Sequence, residues 1–395
     1  MSYVLLVCGV LLTLLGRSAV RRPRGHRPLW VTAMAGGELA GWFLVLAGGL
    51  VVGFRVAGWA GGPAGMAGQV LLGIAAVEFG IALVRGFGAA PHARAALAEF
   101  TGGDGTIVWS RVGSVLAPIA RLPRGVTVDA AIAYGPHPRH LLDRIGTRTT
   151  EGACPALVYV HGGGWWRGRR TTQARPMIYR LAAAGWQVFT PSYRLSPEAT
   201  MPDHLVDVKR AIAWVRANAA SYGVDPGFIG VAGGSTGGNL AALAALAGDY
   251  PSTQPGFEDA DASVQACVPL YGVHDLLDDE GQPLWPYLAE TVMKSDPAAQ
   301  PEAWRRASPV CSATANRPPF FVIHGGADTV VRPVLSRRLA TALRAAGGPP
   351  VGHLEVPRGN HGFDFFAGPR GRVVASAAIG ALQHVHAGYR SEVGR

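Results

Sequence analysis

Phe228-Ile-Gly-Val-Ala-Gly-Gly-Ser-Thr-Gly-Gly-Asn-Leu240 passes from an apolar run, through a glycine cluster, into an Ala/Leu-rich stretch. That order reads as strand, sharp turn, helix. Gly233-x-Ser235-x-Gly237 falls in the turn. A serine exposed on a strained strand-to-helix turn needs neighbours with almost no side chain two positions to either side. Gly233 and Gly237 meet that need, and Gly238 lets the helix approach the strands. The expectation is a nucleophilic Ser235 at a strand end. Taken by itself, the stretch also fits an ordinary Gly/Ser-rich loop.

Working outward, three further motifs fall at strand ends. Upstream, Val158-Tyr-Val-His-Gly-Gly-Gly-Trp-Trp166 follows an apolar run. Its successive glycines let backbone N–H groups point at one spot, so Gly163, Gly164 and the N–H of Thr236 are the expected oxyanion donors. A phosphate cradle fits poorly, because no Lys-Ser/Thr follows the glycines. Downstream, His324-Gly-Gly-Ala-Asp328 places an acid after a strand, and Gly359-Asn-His361-Gly-Phe363 places a histidine in a later turn. The order Ser235, Asp328, His361 matches a nucleophile, an orienting acid and a general base. Each has a bland account, Asp328 as a helix cap and His361 as a loop residue, but the ordered set favours chemistry. Asp275 is a weaker candidate acid, and Asp364 reads as a capping or surface group. His161 and His324 read as loop braces. His137 and His140 lack a carboxylate or cysteine set nearby, so no metal is expected.

Around these motifs, short apolar runs alternate with Ala-rich helical stretches. The runs are Ala156–Val160, Gln187–Thr190, Phe228–Ala232, Cys267–Tyr271, Phe320–His324 and Gly352–Val356. The helices are expected near Thr172–Ala184, Pro202–Ala220, Thr236–Ala247, Pro333–Ala346 and Arg370–His386. This alternation predicts an α/β fold, a mainly parallel sheet covered on both faces. The expected organisation is 1–90 membrane-embedded, 91–125 a juxtamembrane linker and cap, and 126–395 catalytic.

The first ninety residues differ in texture. Tyr3–Gly16, Leu29–Phe54 and Gln69–Val84 are apolar, the last two interrupted only by Glu38 and Glu78. A spanning helix needs about 20 apolar residues. The second stretch clears that as one helix, the third does with its preceding glycines, and the first is borderline. Arginines follow the first apolar run instead of preceding it, which argues against a cleaved signal. Arg17, Arg21, Arg22, Arg24 and Arg27 then mark a cytoplasmic loop, which puts the catalytic part in the cytoplasm. Glu38 and Glu78 are expected to serve packing, as a protonated pair or through a Glu38–Arg55 contact. Gly37xxxGly41 and Gly49xxxGly53 offer close-approach faces.

Composition limits the alternatives. The 395 residues are 49% hydrophobic and only 16% charged, which excludes a disordered chain. The four cysteines show no CxxC spacing, so a disulfide framework or structural zinc is not expected. Half of the +10 net charge lies beside the apolar stretches and the rest is diffuse, so no nucleic-acid stripe is expected.

Together, His161–Trp165, Ser192-Tyr-Arg-Leu-Ser-Pro-Glu198, Gly233–Asn239, Asp328 and His361 resemble the hormone-sensitive-lipase-like carboxylesterases of the α/β-hydrolase superfamily. The bacterial membrane-anchored members are the most similar in layout. The resemblance covers about residues 125–390 and implies an eight-stranded sheet, no cofactor, and ester hydrolysis through an acyl-enzyme. It also implies a bacterial inner-membrane location. Gly234 departs from the Asp or Glu often found there. Trp165, Trp166, Trp285 and Tyr287 are candidate pocket residues, in a segment that reads equally as packing helix. The expected partner is a small-molecule or lipid ester together with membrane lipid, and the oligomeric state is left open. Two other readings remain: an isoprenylcysteine methylesterase-like or arylformamidase-like hydrolase, and a catalytically silent membrane scaffold that binds lipid.

Overall fold

The computed structural model describes residues 1–21, 29–103, 105–148, 153–247, 251–278 and 285–394; for Leu29, Pro251 and Trp285 it describes the backbone alone. Eight strands form one sheet: β1 (Thr127–Ala133), β2 (Leu141–Gly146), β3 (Cys154–Val160), β4 (Gln187–Pro191), β5 (Val224–Gly234), β6 (Ala266–Leu270), β7 (Phe320–Gly325) and β8 (Val351–Val356). Their order is β1-β2-β4-β3-β5-β6-β7-β8. The β1–β2 and β2–β4 pairs are antiparallel and all others parallel. Strands buried on both faces read as continuous apolar runs. Every residue of β3, β4, β6 and β7 is accordingly buried. The chain reverses its direction of strand addition around β3, so the ends of β3 and β5 border a crevice where ligands of such sheets bind.

Helices cover both faces. One side carries α8 (Asp203–Ala217), α9 (Thr236–Leu246) and α12 (Pro333–Ala345). The other carries α5 (Ala89–Thr101), α7 (Arg175–Ala183) and α13 (Pro369–Val393). Helix α5 lies in the stretch expected as linker and cap, yet its Ala93, Leu97 and Phe100 are buried in the core on that face of the sheet. Phe100 meets Phe321 of β7 edge-on at 5.3 Å. Short helices α6 (Arg111–Leu116), α10 (Trp285–Tyr287) and α11 (Pro301–Arg306) complete the series.

The N-terminal region contains α1 (Ser2–Val20), α2 (Leu29–Glu38), α3 (Ala40–Val56) and α4 (Gly62–Phe87). Two helices are long and apolar enough to cross a membrane, α1 and α4 with its continuation to Thr101; a third span results if α2 and α3 count as one. Their outer faces expose Val7, Leu11 and Leu14 on α1, Val45 and Val52 on α3, and Val70 and Val77 on α4. The stretch expected as one straight helix, 29–54, breaks at Leu39 and turns by 78°.

The expected internal contacts are also replaced. Close approach occurs between α1 and α4, where a Cβ on Gly9 would meet Gly68 O at 2.9 Å, while Gly49 and Gly53 have nothing within 4 Å. Glu38 contacts neither Glu78 nor Arg55. Glu78 pairs with Arg17 at 3.3 Å, and Arg55 Nε donates to Gln69. Glu38 instead reaches the catalytic part. It accepts from Arg370 Nη1 at 3.2 Å and from the backbone N–H groups of Arg370 and Gly371 at 3.1 and 3.3 Å. Buried charges persist only when paired and hydrogen-bonded, and the first turn of α13 satisfies both conditions for Glu38. Arg22, Arg24 and Arg27 of the basic loop lie outside the described residues.

Candidate active site

Ser235 stands between β5 and α9 with φ 58° and ψ −123°, a conformation sparsely populated by side-chain-bearing residues. The turn is crowded. A Cβ on Gly233 would strike Gly237 O, and one on Gly237 would strike Val160 O. Glycine at both positions is thus a steric requirement, and Ser235 stands at the carboxyl end of β5.

His361 and Asp328 arrive from loops after β8 and β7. His361 Nε2 lies 3.0 Å from Ser235 Oγ, and Nδ1 lies 2.7 Å from Asp328 Oδ2. An ionised carboxylate only accepts, so Nδ1 carries the proton and Nε2 faces the serine as an acceptor. Asp328 is held from its other side too, since Oδ1 accepts from Val330 N at 2.8 Å and Val331 N at 2.9 Å. Burial would push its carboxyl up, but attraction to His361 and hydrogen bonds from His324 and His361 hold it well below the usual carboxylate range. Asn360 joins the two loops, its Oδ1 accepting from the backbone of both His361 and Thr329.

Beside Ser235, whose Cβ lies 2.8 Å from where a Gly162 Cβ would stand, Gly163 and Gly164 turn at φ 135° and 67°. Gly162 N–H is tied to Gln173 Oε1 at 2.7 Å. Among the described residues, the N–H groups of Gly163, Gly164 and Thr236 have no acceptor. Tyr287 Oη donates to Gly164 O and fixes the loop from outside. Trp165 is fully buried, whereas Trp166 is half-exposed beneath the Arg167 guanidinium. Trp166 and Tyr287 line a groove of about 690 Å³ with Arg139, Leu195 and Glu198. The Trp285 side chain lies outside the described residues.

The rival groups sit elsewhere. Asp275 faces Arg338 at 3.2 Å. His140 faces Asp207 at 3.0 Å and stacks on Tyr134. His161 stacks on Tyr193 at 4.5 Å, and burial pushes its imidazole down to about 4. His324 braces Ser336 and Val331 O.

Asp364 departs from the expected surface role. It is buried beneath the elbow, where Tyr271 Oη donates to Oδ1 and Tyr159 Oη to Oδ2 at 3.5 Å. Tyr271 also packs against the His361 ring at 4.7 Å. The two phenols fill the space beside Gly234, where a Cβ would meet Tyr271 Oη at 2.7 Å and Tyr159 Oη at 3.0 Å. A side chain before the nucleophile is therefore excluded, and the buried carboxylate comes from the histidine loop. Sequence reading missed this because two tyrosines on separate strands carry no joint signal. Burial pushes the Asp364 carboxyl up to about 6, against the lowering effect of its hydrogen bonds.

A pH prediction follows from Asp364. Between pH 4 and 6 the folded chain keeps a proton that the unfolded chain releases, so Asp364 makes stability fall as pH rises through that window. The destabilisation is about 3 kcal/mol, reached in full above pH 6 and absent below pH 4. Thermal melts at pH 4, 5, 6 and 7 are expected to show this fall in the wild type relative to Asp364→Asn. Parallel curves for the two proteins would refute it.

A nucleophile turn after β5, an acid after β7 and a histidine after β8 on this sheet define an α/β-hydrolase. The chain belongs to the BD-FAE family, which matches residues 142–343. It is 44% identical over 251 residues to Esterase LipQ of Mycobacterium tuberculosis, covering 62% of this chain and 60% of that one. It is 41% identical over 273 residues to the probable carboxylic ester hydrolase LipM of the same organism, covering 68% and 63%. The chain thus spans less than two thirds of these relatives' length. Among solved structures, propionate-bound esterase Est2 of Thermogutta terrifontis is similar with TM-score 0.53 and 26% identity, covering 69% of this chain and 95% of that one.

Proposed function

We propose that this chain is a serine carboxylesterase tethered to a membrane by its N-terminal helices. The observation that carries the reading is the hydrogen-bonded line from Ser235 through His361 to Asp328, with Ser235 on a strained elbow. Ser235 Oγ attacks the ester carbonyl while His361 Nε2 takes its proton. The N–H groups of Gly163, Gly164 and Thr236 receive the developing oxyanion, and such donors are worth about 3–4 kcal/mol each. Collapse of the tetrahedral adduct breaks the bond to the alcohol oxygen, which leaves with the proton from His361. Water, deprotonated by the same nitrogen, then releases the acid from the acyl-serine. Esterase relatives at more than 40% identity support ester substrates. Hydrolysis of p-nitrophenyl esters from two to sixteen carbons tests the reading, and the preferred length sizes the acyl pocket. Absence of turnover on every chain length would sink it.

Charge placement supports a cytoplasmic catalytic part. Arg17 and Arg21 end α1 and Arg85 ends α4, whereas the α3–α4 connection carries no arginine after Arg55. Cys311 is exposed, and Cys154 and Cys267 are buried. A membrane-impermeant maleimide is therefore expected to label Cys311 in inverted vesicles and spare it in intact cells. Labelling in intact cells would reverse the orientation.

A further inference from the structure

Helix α2 ends in the active site. Its Trp30 meets the His361 ring edge-on at 5.5 Å and Phe365 at 6.3 Å, and its indole lies 3.1 Å from where a Gly362 Cβ would stand. At the far end of α2, about 12 Å along the axis, Glu38 is clamped by Arg370 and Gly371. Between the two, Ala33 and Met34 are buried. The helix thus meets the catalytic part at both ends and lies against Leu15 and Ala19 of α1 at Gly36, and the bend at Leu39 sends the chain away into the apolar α3.

The two sides of Ser235 are not equivalent. The oxyanion loop, with Tyr287 and Trp166 behind it, receives the carbonyl oxygen. His361 must protonate the leaving oxygen, so whatever flanks His361 flanks the alcohol half of the ester. That neighbour is Trp30, which is partly exposed, with Phe365 beside it. We propose that Trp30 walls the alcohol subsite and selects esters of apolar aliphatic alcohols. The indole and the Phe365 ring present hydrocarbon beside His361, which fits a hydrocarbon alcohol better than a sugar hydroxyl. The proposal rests on the esterase reading. It gives the N-terminal helices a part in specificity beyond tethering.

The test uses the full chain in dodecyl maltoside micelles, with acetate esters of ethanol, butanol and octanol and acetate release as the readout. All share one acetyl-enzyme, so deacylation is common to the series. Taking variant-to-wild-type ratios cancels partitioning into the micelle. Trp30→Ala is expected to lower kcat/KM for octyl acetate about tenfold or more beyond whatever it costs ethyl acetate. Trp30→Phe is expected to recover most of the loss. An equal ratio for every alcohol would mean that Trp30 only packs, and would overturn the proposal. So would a wild type that prefers glucose pentaacetate, run beside the series, to octyl acetate. A wild type without Ser235-dependent turnover of any ester overturns the esterase reading itself, a separate result from turnover that is indifferent to Trp30.

Discussion

Ser235→Ala is expected to lower kcat on p-nitrophenyl esters by about 10⁴–10⁶-fold while leaving the melting temperature nearly unchanged. The loss is large because the variant removes the atom that forms the acyl-enzyme, and His361 then has no hydroxyl to deprotonate. The fold should tolerate the change. Alanine must still adopt φ 58° and ψ −123°, but that strain is already imposed on serine, and Gly233 and Gly237 remain to accommodate the turn. The oxyanion donors and pocket persist, so a residual rate above solution hydrolysis is expected. Fluorophosphonate labelling should disappear in the variant. Undiminished esterase activity in folded Ser235→Ala protein would assign the chemistry to another residue.

Asp328→Asn carries the second largest expected effect, about 10⁴-fold in kcat. The local hydrogen bonds fix how the new amide would sit. Oδ1 of Asp328 accepts from Val330 and Val331 N–H, so the amide oxygen occupies that place. The NH₂ group then takes the position of Oδ2, facing His361 Nδ1. Two donors cannot share that contact, so the imidazole is driven to the tautomer with its proton on Nε2. Nε2 then points N–H at Ser235 and cannot take its proton. The variant should fold, bind ester with little change in KM, and fail in turnover. A KM rise with kcat preserved would show that Asp328 acts on binding instead.

The chemistry was legible in sequence because its parts are local. Each motif is a strand end followed by small residues: glycine two positions either side of Ser235, a glycine run before Trp165, and a short loop ahead of Asp328. Six strands, β3 to β8, were readable as apolar runs: β3, β4, β6 and β7 are buried throughout, and β8 at the sheet's edge buries every second residue. The first two strands were not. β1 alternates partly buried and exposed residues, and β2 places Asp143 and Arg144 in the interior. Those charges are satisfied by Arg170 at 2.6 Å and Asp129 at 3.2 Å. No apolar-run criterion finds a strand whose buried charges are neutralised by partners distant in sequence.

Sequence by itself determined the class of fold, the order of the chemical groups and the apolar character of the first ninety residues, since each is a property of neighbouring residues. Tertiary structure alone decided where those groups meet. It broke the second apolar stretch at Leu39, paired Glu38 with Arg370 instead of Arg55 and set Trp30 against His361, across more than three hundred positions. It also buried Asp364 under the elbow, where two tyrosine hydroxyls stabilise it. A buried charge takes the partner that packing brings within hydrogen-bond reach, and sequence spacing does not encode that distance.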